Sequence, residues 1–154
     1  MRKHVLFVCT GNLCRSPLGE GILKQKLLNA KIKFITVSSA GTFAMSGRPA
    51  PEPVREAAAE HGVDISRHRT SHITREMLAD ADIVLCMEKD HLVEVGVVLP
   101  DKSGKYRLLS DFGPPAIRGE EIEDPYGAPK DFLLMIYEQI EECVEGLLDE
   151  LLRE

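Results

Sequence analysis

The sequence predicts an α/β chain, a single doubly wound four-stranded parallel sheet with helices on both faces. Three observations carry that expectation. Apolar runs at residues 5–9, 34–38, 82–87 and 106–109 alternate with segments whose apolar residues recur at helical spacing. The run at 82–87 is apolar almost throughout, as a strand covered on both faces should be. The first run ends in Cys9-Thr10-Gly11-Asn12-Leu13-Cys14-Arg15-Ser16-Pro17, where a Gly/Asn turn leads into a helix. Right-handed crossovers would then place the first strand centrally, with its following loop at a topological switch point.

At 154 residues and 44% apolar content the chain is expected to form one domain, 1–154, with no linker or low-complexity segment. A net charge of −6 without a basic run argues against a nucleic-acid surface and a polybasic membrane anchor. The apolar run after Met1-Arg2-Lys3-His4 is too short for a signal peptide or a membrane span, so a cytoplasmic protein is expected. Cysteines at 9, 14, 86 and 143 form neither a disulfide framework nor a zinc pattern and suit a reducing compartment.

The elements follow in order. After the loop, Leu18, Ile22, Leu27 and Leu28 give a helix to about Ala30. Residues 34–38 are the second strand, closed by a turn at Ala40-Gly41-Thr42; if it runs parallel to the first, Ser39 lies beside the Cys9 loop. The Gly/Pro-rich segment 43–53 belongs on the strand-end side of the sheet, where Phe43 could wall a pocket and Met45 is expected to pack under the loop. Residues 51–60 are helical, with His61 at the terminus and Gly62 as the stop. Thr74 caps a short helix, residues 82–87 form a buried strand holding Cys86, and residues 89–98 a helix stopped by Pro100. The long segment 110–130 is a loop of functional length containing Asp124-Pro125-Tyr126. Finally Leu133, Ile136, Ile140, Val144, Leu147 and Leu151 form one stripe of a helix over 131–154, with Cys143 on its border.

The chemistry centres on the first loop. Backbone amides at a helix N-terminus favour an anion, and the same positive field favours thiolate over thiol. Cys9 is therefore a candidate nucleophile, and Arg15 a bidentate clamp for phosphate oxygens. A buried structural cysteine is the plainer alternative; the strand before it, the Gly11-Asn12 pair able to turn left-handed, and Ser16-Pro17 after it favour the nucleophile. Asp124, restrained by the following proline, suits a general acid, although Asp-Pro is also an ordinary turn pair.

These residues resemble the low-molecular-weight protein tyrosine phosphatases, whose signature is a Cys, five residues and an Arg followed by Ser or Thr near the N-terminus, with an Asp-Pro-aromatic loop near the C-terminus. Cys9 through Pro17 and Asp124-Pro125-Tyr126 match both. Ser38-Ser39-Ala40-Gly41-Thr42, His61-Gly62 and Ile83-Val84-Leu85-Cys86-Met87 extend the likeness over most of the chain. The resemblance implies a cysteine-dependent phosphatase: Cys9 is phosphorylated, Arg15 and the amides of residues 10–15 hold the phosphoryl oxygens, Asp124 serves as acid and then base, and Ser16 hydrogen-bonds the thiolate. Thr10, Gly11, Asn12, Leu13 and Cys14 would surround the phosphate, and Tyr126 and Phe43 the substrate ring. Ser39 would support the loop through hydrogen bonds and His68 by holding Asn12, the alternatives being a turn serine and a surface histidine. No metal or cofactor is called for, since the cation is Arg15. Cys14 would be a redox partner of Cys9 or simply pack beneath the loop.

A phosphorylated protein would be the partner, with the chain a monomer or weak dimer. Phosphotyrosine is the expected substrate because Leu13 stands where the family's arginine phosphatases carry a threonine. The segments around Gly41-Thr42-Phe43 and His68-Arg69-Thr70-Ser71 look more like that arginine branch. An arsenate reductase of related fold would need further cysteines to resolve an oxidised intermediate, and only Cys86 is near the expected region here; a phosphocysteine carrier without hydrolysis would not need Arg15 and Asp124 together.

Overall fold

The computed structural model describes residues 2–154. Four parallel strands, β1 (Lys3–Cys9), β2 (Ile35–Gly41), β3 (Ile83–Cys86) and β4 (Tyr106–Leu108), form one sheet in the order β2-β1-β3-β4. Helices α1 (Arg15–Asn29), α2 (Glu52–Glu60), α3 (Arg75–Asp80), α4 (Lys89–Val98) and α5 (Lys130–Arg153) complete the chain. The doubly wound sheet is as expected. Because the chain leaves β1 toward β2 on one side and β3 pairs on the other, the connections after β1 and β3 diverge and open a crevice at the C-terminal edge.

Alternation along β1 divides the core. Val5, Phe7 and Cys9 point into a large cluster with α1, α2 and α5, whereas Leu6 and Val8 point into a smaller one with Leu78, Val84 and Val95. Both faces of the central strand are therefore covered, which is why its interior is uniformly apolar. The stripe expected on α5 is buried in full, and Cys143 lies inside it rather than at its border.

Several boundaries differ from the sequence reading by a residue or two, and three of the differences have a clear physical reason. Strand β2 continues through Ala40 to Gly41, because Gly41 still pairs with Cys9 and the turn follows at Thr42. Strand β4 ends at Leu108, and Leu109–Phe112 forms a 3-10 turn that packs under α5. Helix α1 begins at Arg15, with Pro17 in its first turn, where a missing N–H costs nothing.

Close packing between α5 and the 3-10 turn rests on Gly146, where a Cβ would land on the carbonyl oxygen of Phe112. Gly96 in α4 has open space around it and an ordinary helical backbone. Gly146→Ala is expected to destabilise the fold by about 3 kcal/mol through overpacking, and Gly96→Ala to stabilise it by about 0.5–1 kcal/mol. Urea unfolding of the two variants checks both signs; equal midpoints would show that α5 does not pack this closely.

Candidate active site

Strand β1 delivers Cys9 to the C-terminal edge of the sheet, and the chain then curls through residues 10–14 before Arg15 starts α1. The curl is held against β2. Thr42 N and Phe43 N donate to the carbonyls of Cys9 and Thr10, both at 2.9 Å. A Cβ on Gly41 would stand 2.5 Å from Thr10 O and 2.8 Å from Asn12 N, so only glycine lets β2 come this close. The amides of Gly11, Asn12, Leu13 and Cys14 make no hydrogen bond to another protein group among the described residues. They form a donor-rich concavity at a helix N-terminus.

Asn12 fixes that shape. Of the Gly11-Asn12 pair, only Asn12 is left-handed, with φ +56°, and it is fully buried. Its Nδ2 donates to Ser16 Oγ at 2.8 Å and Ser39 Oγ at 2.9 Å, and its Oδ1 accepts from Ser71 N at 2.8 Å. His68 Nε2 lies 2.7 Å from Asn12 O, so both Ser39 and His68 meet the loop through Asn12. Ser39 in turn donates to Glu20 Oε1 at 2.6 Å.

Cys9 Sγ lies 2.9 Å from Ser16 Oγ. Ser16 Oγ accepts from Asn12, and its own hydrogen has two acceptors to choose between, the sulfur at 2.9 Å and the more distant Ala40 carbonyl at 3.4 Å. Cys14, also buried, has its thiol pushed up to about 12, first by burial and then by the neighbouring Cys9. Cys86 and Cys143 are raised likewise by burial within the core.

Arg15 is 1% exposed. Its Nη1 donates to Glu88 Oε2 at 2.5 Å and to Ile122 O at 2.7 Å. Nε is buried without a protein partner, and Nη2 meets only Thr10 Oγ1 at 3.5 Å and Asp124 Oδ2 at 3.8 Å. One edge of the guanidinium is thus anchored, and the other is available for bidentate binding of an anion. The Asp124 loop is tied in by Ile122, whose N–H donates to Met87 O at 3.0 Å while its carbonyl holds Arg15. Asp124 itself is half exposed and accepts from Tyr126 N at 3.1 Å.

Cys9, Thr10, Gly11, Leu13, Cys14, Arg15, Asp124 and Tyr126 line a crevice of about 180 Å³. Gly11, Leu13 and Tyr126 also line an adjoining groove of about 580 Å³ with Phe43, Met45 and Arg48. Phe43 is 83% exposed on its wall. Met45 corrects the sequence reading: it is 67% exposed and lines the groove instead of packing under the loop. The polar ties of this segment are made by Thr70 instead, whose N–H donates to Arg48 O and whose hydroxyl accepts from Arg48 N.

Sequence reasoning missed Glu88, His91, Glu20 and Ile122. Glu88 and His91 follow the C-terminal end of β3, and that position beside the Cys9 loop was the signal available. His91 Nε2 lies 2.9 Å from Thr10 Oγ1, and Glu88 N donates to His91 Nδ1 at 3.1 Å.

The role of Asn12 can be isolated. Asn12→Ala leaves Ser71 N and two serine hydroxyls without this partner and puts at positive φ a residue that tolerates it less well than asparagine, and it is expected to cost at least about 2 kcal/mol. Asn12→Gly restores only backbone freedom and should recover part of that loss. Urea unfolding checks the order parent, Gly, Ala; Ala equal to parent would mean the network carries no stability.

A family model described as low molecular weight phosphotyrosine protein phosphatase matches residues 4–154. The probable low molecular weight protein-tyrosine-phosphatase AmsI of Erwinia amylovora is 37% identical, the match covering 99% of this chain and all of that protein. The crystal structure of the low molecular weight protein tyrosine phosphatase from T. tengcongensis superposes with TM-score 0.87 at 36% identity, covering 96% of this chain and 99% of that one. The YwlE arginine phosphatase from Geobacillus stearothermophilus superposes with TM-score 0.86 at 30% identity, covering 98% and 94%. No helix among the described residues is long and apolar enough to cross a membrane. With a cysteine and a buried arginine sharing one anion-shaped loop, opposite an aspartate, and with this match over nearly its whole length, the chain belongs to the low molecular weight phosphotyrosine protein phosphatase family.

Proposed function

We propose that the chain hydrolyses phosphotyrosine in proteins through a phosphocysteine on Cys9. The observation that carries this reading is the crevice itself. It places the Cys9 sulfur, the unpartnered edge of Arg15 and the Asp124 carboxylate around one space of about 180 Å³ whose remaining walls include Leu13 and Tyr126.

The steps follow from those positions. Cys9 thiolate attacks phosphorus, and the bond from phosphorus to the phenolic oxygen breaks. Asp124 donates its proton to the leaving oxygen. Water then attacks the phosphocysteine, its proton passing to the Asp124 carboxylate, and Cys9 leaves as thiolate with Ser16 Oγ donating to it. An ordinary thiol with pKa near 8.5 is only about 3% ionised at pH 7, so a lowered pKa gains at most roughly thirtyfold. The larger share falls to the loop amides and Arg15, which meet the spread charge of the transferring group, and to Asp124 with ~10²–10⁴-fold.

Phosphotyrosine is favoured over phosphoarginine by the walls. Leu13 and Tyr126 offer apolar and aromatic surface to a phenyl ring. A substrate guanidinium would need an acidic partner, and the one carboxylate lining the crevice, Asp124, already faces Arg15. The redox role of Cys14 stands as part of the proposal: both cysteines line the crevice, and with burial pushing the Cys14 thiol up to about 12, Cys14 is not the thiol that peroxide oxidises first.

Three outcomes are expected. Cys9→Ser loses turnover while keeping its fold, read by activity and circular dichroism together; retained turnover would remove Cys9 from the chemistry. Asp124→Asn slows phosphotyrosine peptides by about 10²-fold or more but esters with good leaving groups far less, and equal losses would make Asp124 structural. Phosphotyrosine peptides turn over with a higher kcat/KM than phosphoarginine peptides, and the reverse order would assign the substrate to the arginine branch.

A further inference from the structure

His91 is a buried, charged-type residue that the steps above do not use. It is 2% exposed on the first turn of α4, across the sheet edge from the Cys9 loop. Its two ring nitrogens have different partners, and these fix the tautomer. Glu88 N is a donor and lies 3.1 Å from Nδ1, so Nδ1 must be the bare, accepting nitrogen. Nε2 therefore carries the hydrogen and donates it to Thr10 Oγ1 at 2.9 Å. Burial and the nearby Arg15 guanidinium hold the His91 pKa below its ordinary value, in keeping with a neutral ring.

The consequence falls on Thr10. Its oxygen accepts from His91 Nε2 and has Arg15 Nη2 at 3.5 Å, another donor. With donors on both of those sides, the hydroxyl hydrogen of Thr10 has to point elsewhere, and Thr10 lines the crevice beside Cys9. Ser16 is treated comparably by Asn12, which donates to its oxygen while the Cys9 sulfur, at 2.9 Å, is the nearest acceptor for its hydrogen. One turn of α4 thus serves both ends of the site: Glu88 holds Arg15 Nη1, and His91 holds Thr10.

We infer that His91 is a positioning residue which turns the Thr10 hydroxyl into a hydrogen-bond donor for the phosphoryl group held in the Cys9 loop. This rests on the phosphatase reading, which the Cys9→Ser variant decides separately. The hydroxyl adds to the loop amides and Arg15 a donor that strengthens as charge builds on the phosphoryl oxygens. It acts on the transition state more than on the bound substrate.

Two measurements test this. In the parent protein, nitrogen-15 NMR of the imidazole should find Nε2 protonated and Nδ1 bare in the neutral ring, with any titration falling below that of an ordinary histidine; this reading does not depend on activity. The opposite tautomer overturns the proposal. Then Thr10→Val, Thr10→Ser, His91→Asn and the Val/Asn double variant are compared with p-nitrophenyl phosphate as substrate and orthovanadate as inhibitor. Asparagine can still accept from Glu88 N but is too short to reach Thr10, so it separates the helix-start contact from the Thr10 contact. Thr10→Val and His91→Asn should each lower kcat and orthovanadate affinity roughly tenfold with KM little changed. The double variant should be no worse than the poorer single, and Thr10→Ser, which keeps the hydroxyl, should recover most of what Thr10→Val loses. Losses that add in the double variant, or a Thr10→Val protein with parental orthovanadate affinity, overturn it. If His91→Asn does not fold, the Val and Ser variants at position 10 carry the decision.

Discussion

The buried guanidinium of Arg15 is the constraint on which the rest of the site depends. A charge that is 1% exposed is tolerated only if it is paired and hydrogen-bonded, and Glu88 together with the carbonyl of Ile122 meets that need on one edge. Those two partners come from the junction of β3 with α4 and from the loop that carries Asp124. Satisfying one side chain therefore draws three parts of the chain, distant in sequence, to a single point. The opposite edge, with Nε unpartnered, is left to the substrate. Anchoring half of the fork and leaving half is what separates a phosphate clamp from an internal salt bridge.

The Cys9 loop reaches the same end by a different route. Its amides can converge on an anion only if the chain reverses its curl, and Asn12 makes that reversal with a left-handed backbone secured from four directions. The loop is held by protein groups alone, so donors need not be rearranged as charge develops. Cys9, Ser16 and Asn12 form one chain of contacts. The group that shapes the loop therefore also directs the hydroxyl that faces the sulfur.

Much of this was legible in the sequence where the information is local. Cys9 and Arg15 lie within one strand-loop-helix unit, whose context singled them out, whereas Ser16 and Asp124 drew their roles from the family resemblance, Asp-Pro by itself being an ordinary turn pair. Ser39 could be placed because a parallel β2 carries it to the same edge. Glu88, His91 and Ile122 could not be read, since their parts depend on how the ends of β3, α4 and the loop before α5 meet in space. Met45 was misread because an apolar residue in a loop was assumed to pack inward, whereas this loop spreads its apolar side chains along the groove. The late end of β2 escaped notice because Gly41 looks like a turn residue, while the fold uses its missing side chain for close approach to Thr10 and Asn12.

The central claim is that Cys9 carries the phosphoryl group covalently between the buried edge of Arg15 and Asp124. Its most direct test is acid quenching of the protein within milliseconds of mixing with a phosphotyrosine peptide, followed by phosphorus-31 NMR and mass spectrometry of the digested chain. The account predicts a thiophosphate signal and one added phosphoryl group on the peptide containing Cys9, at up to one per chain and appearing before inorganic phosphate. Steady release of phosphate with no phosphorylated Cys9 peptide at any time would contradict it.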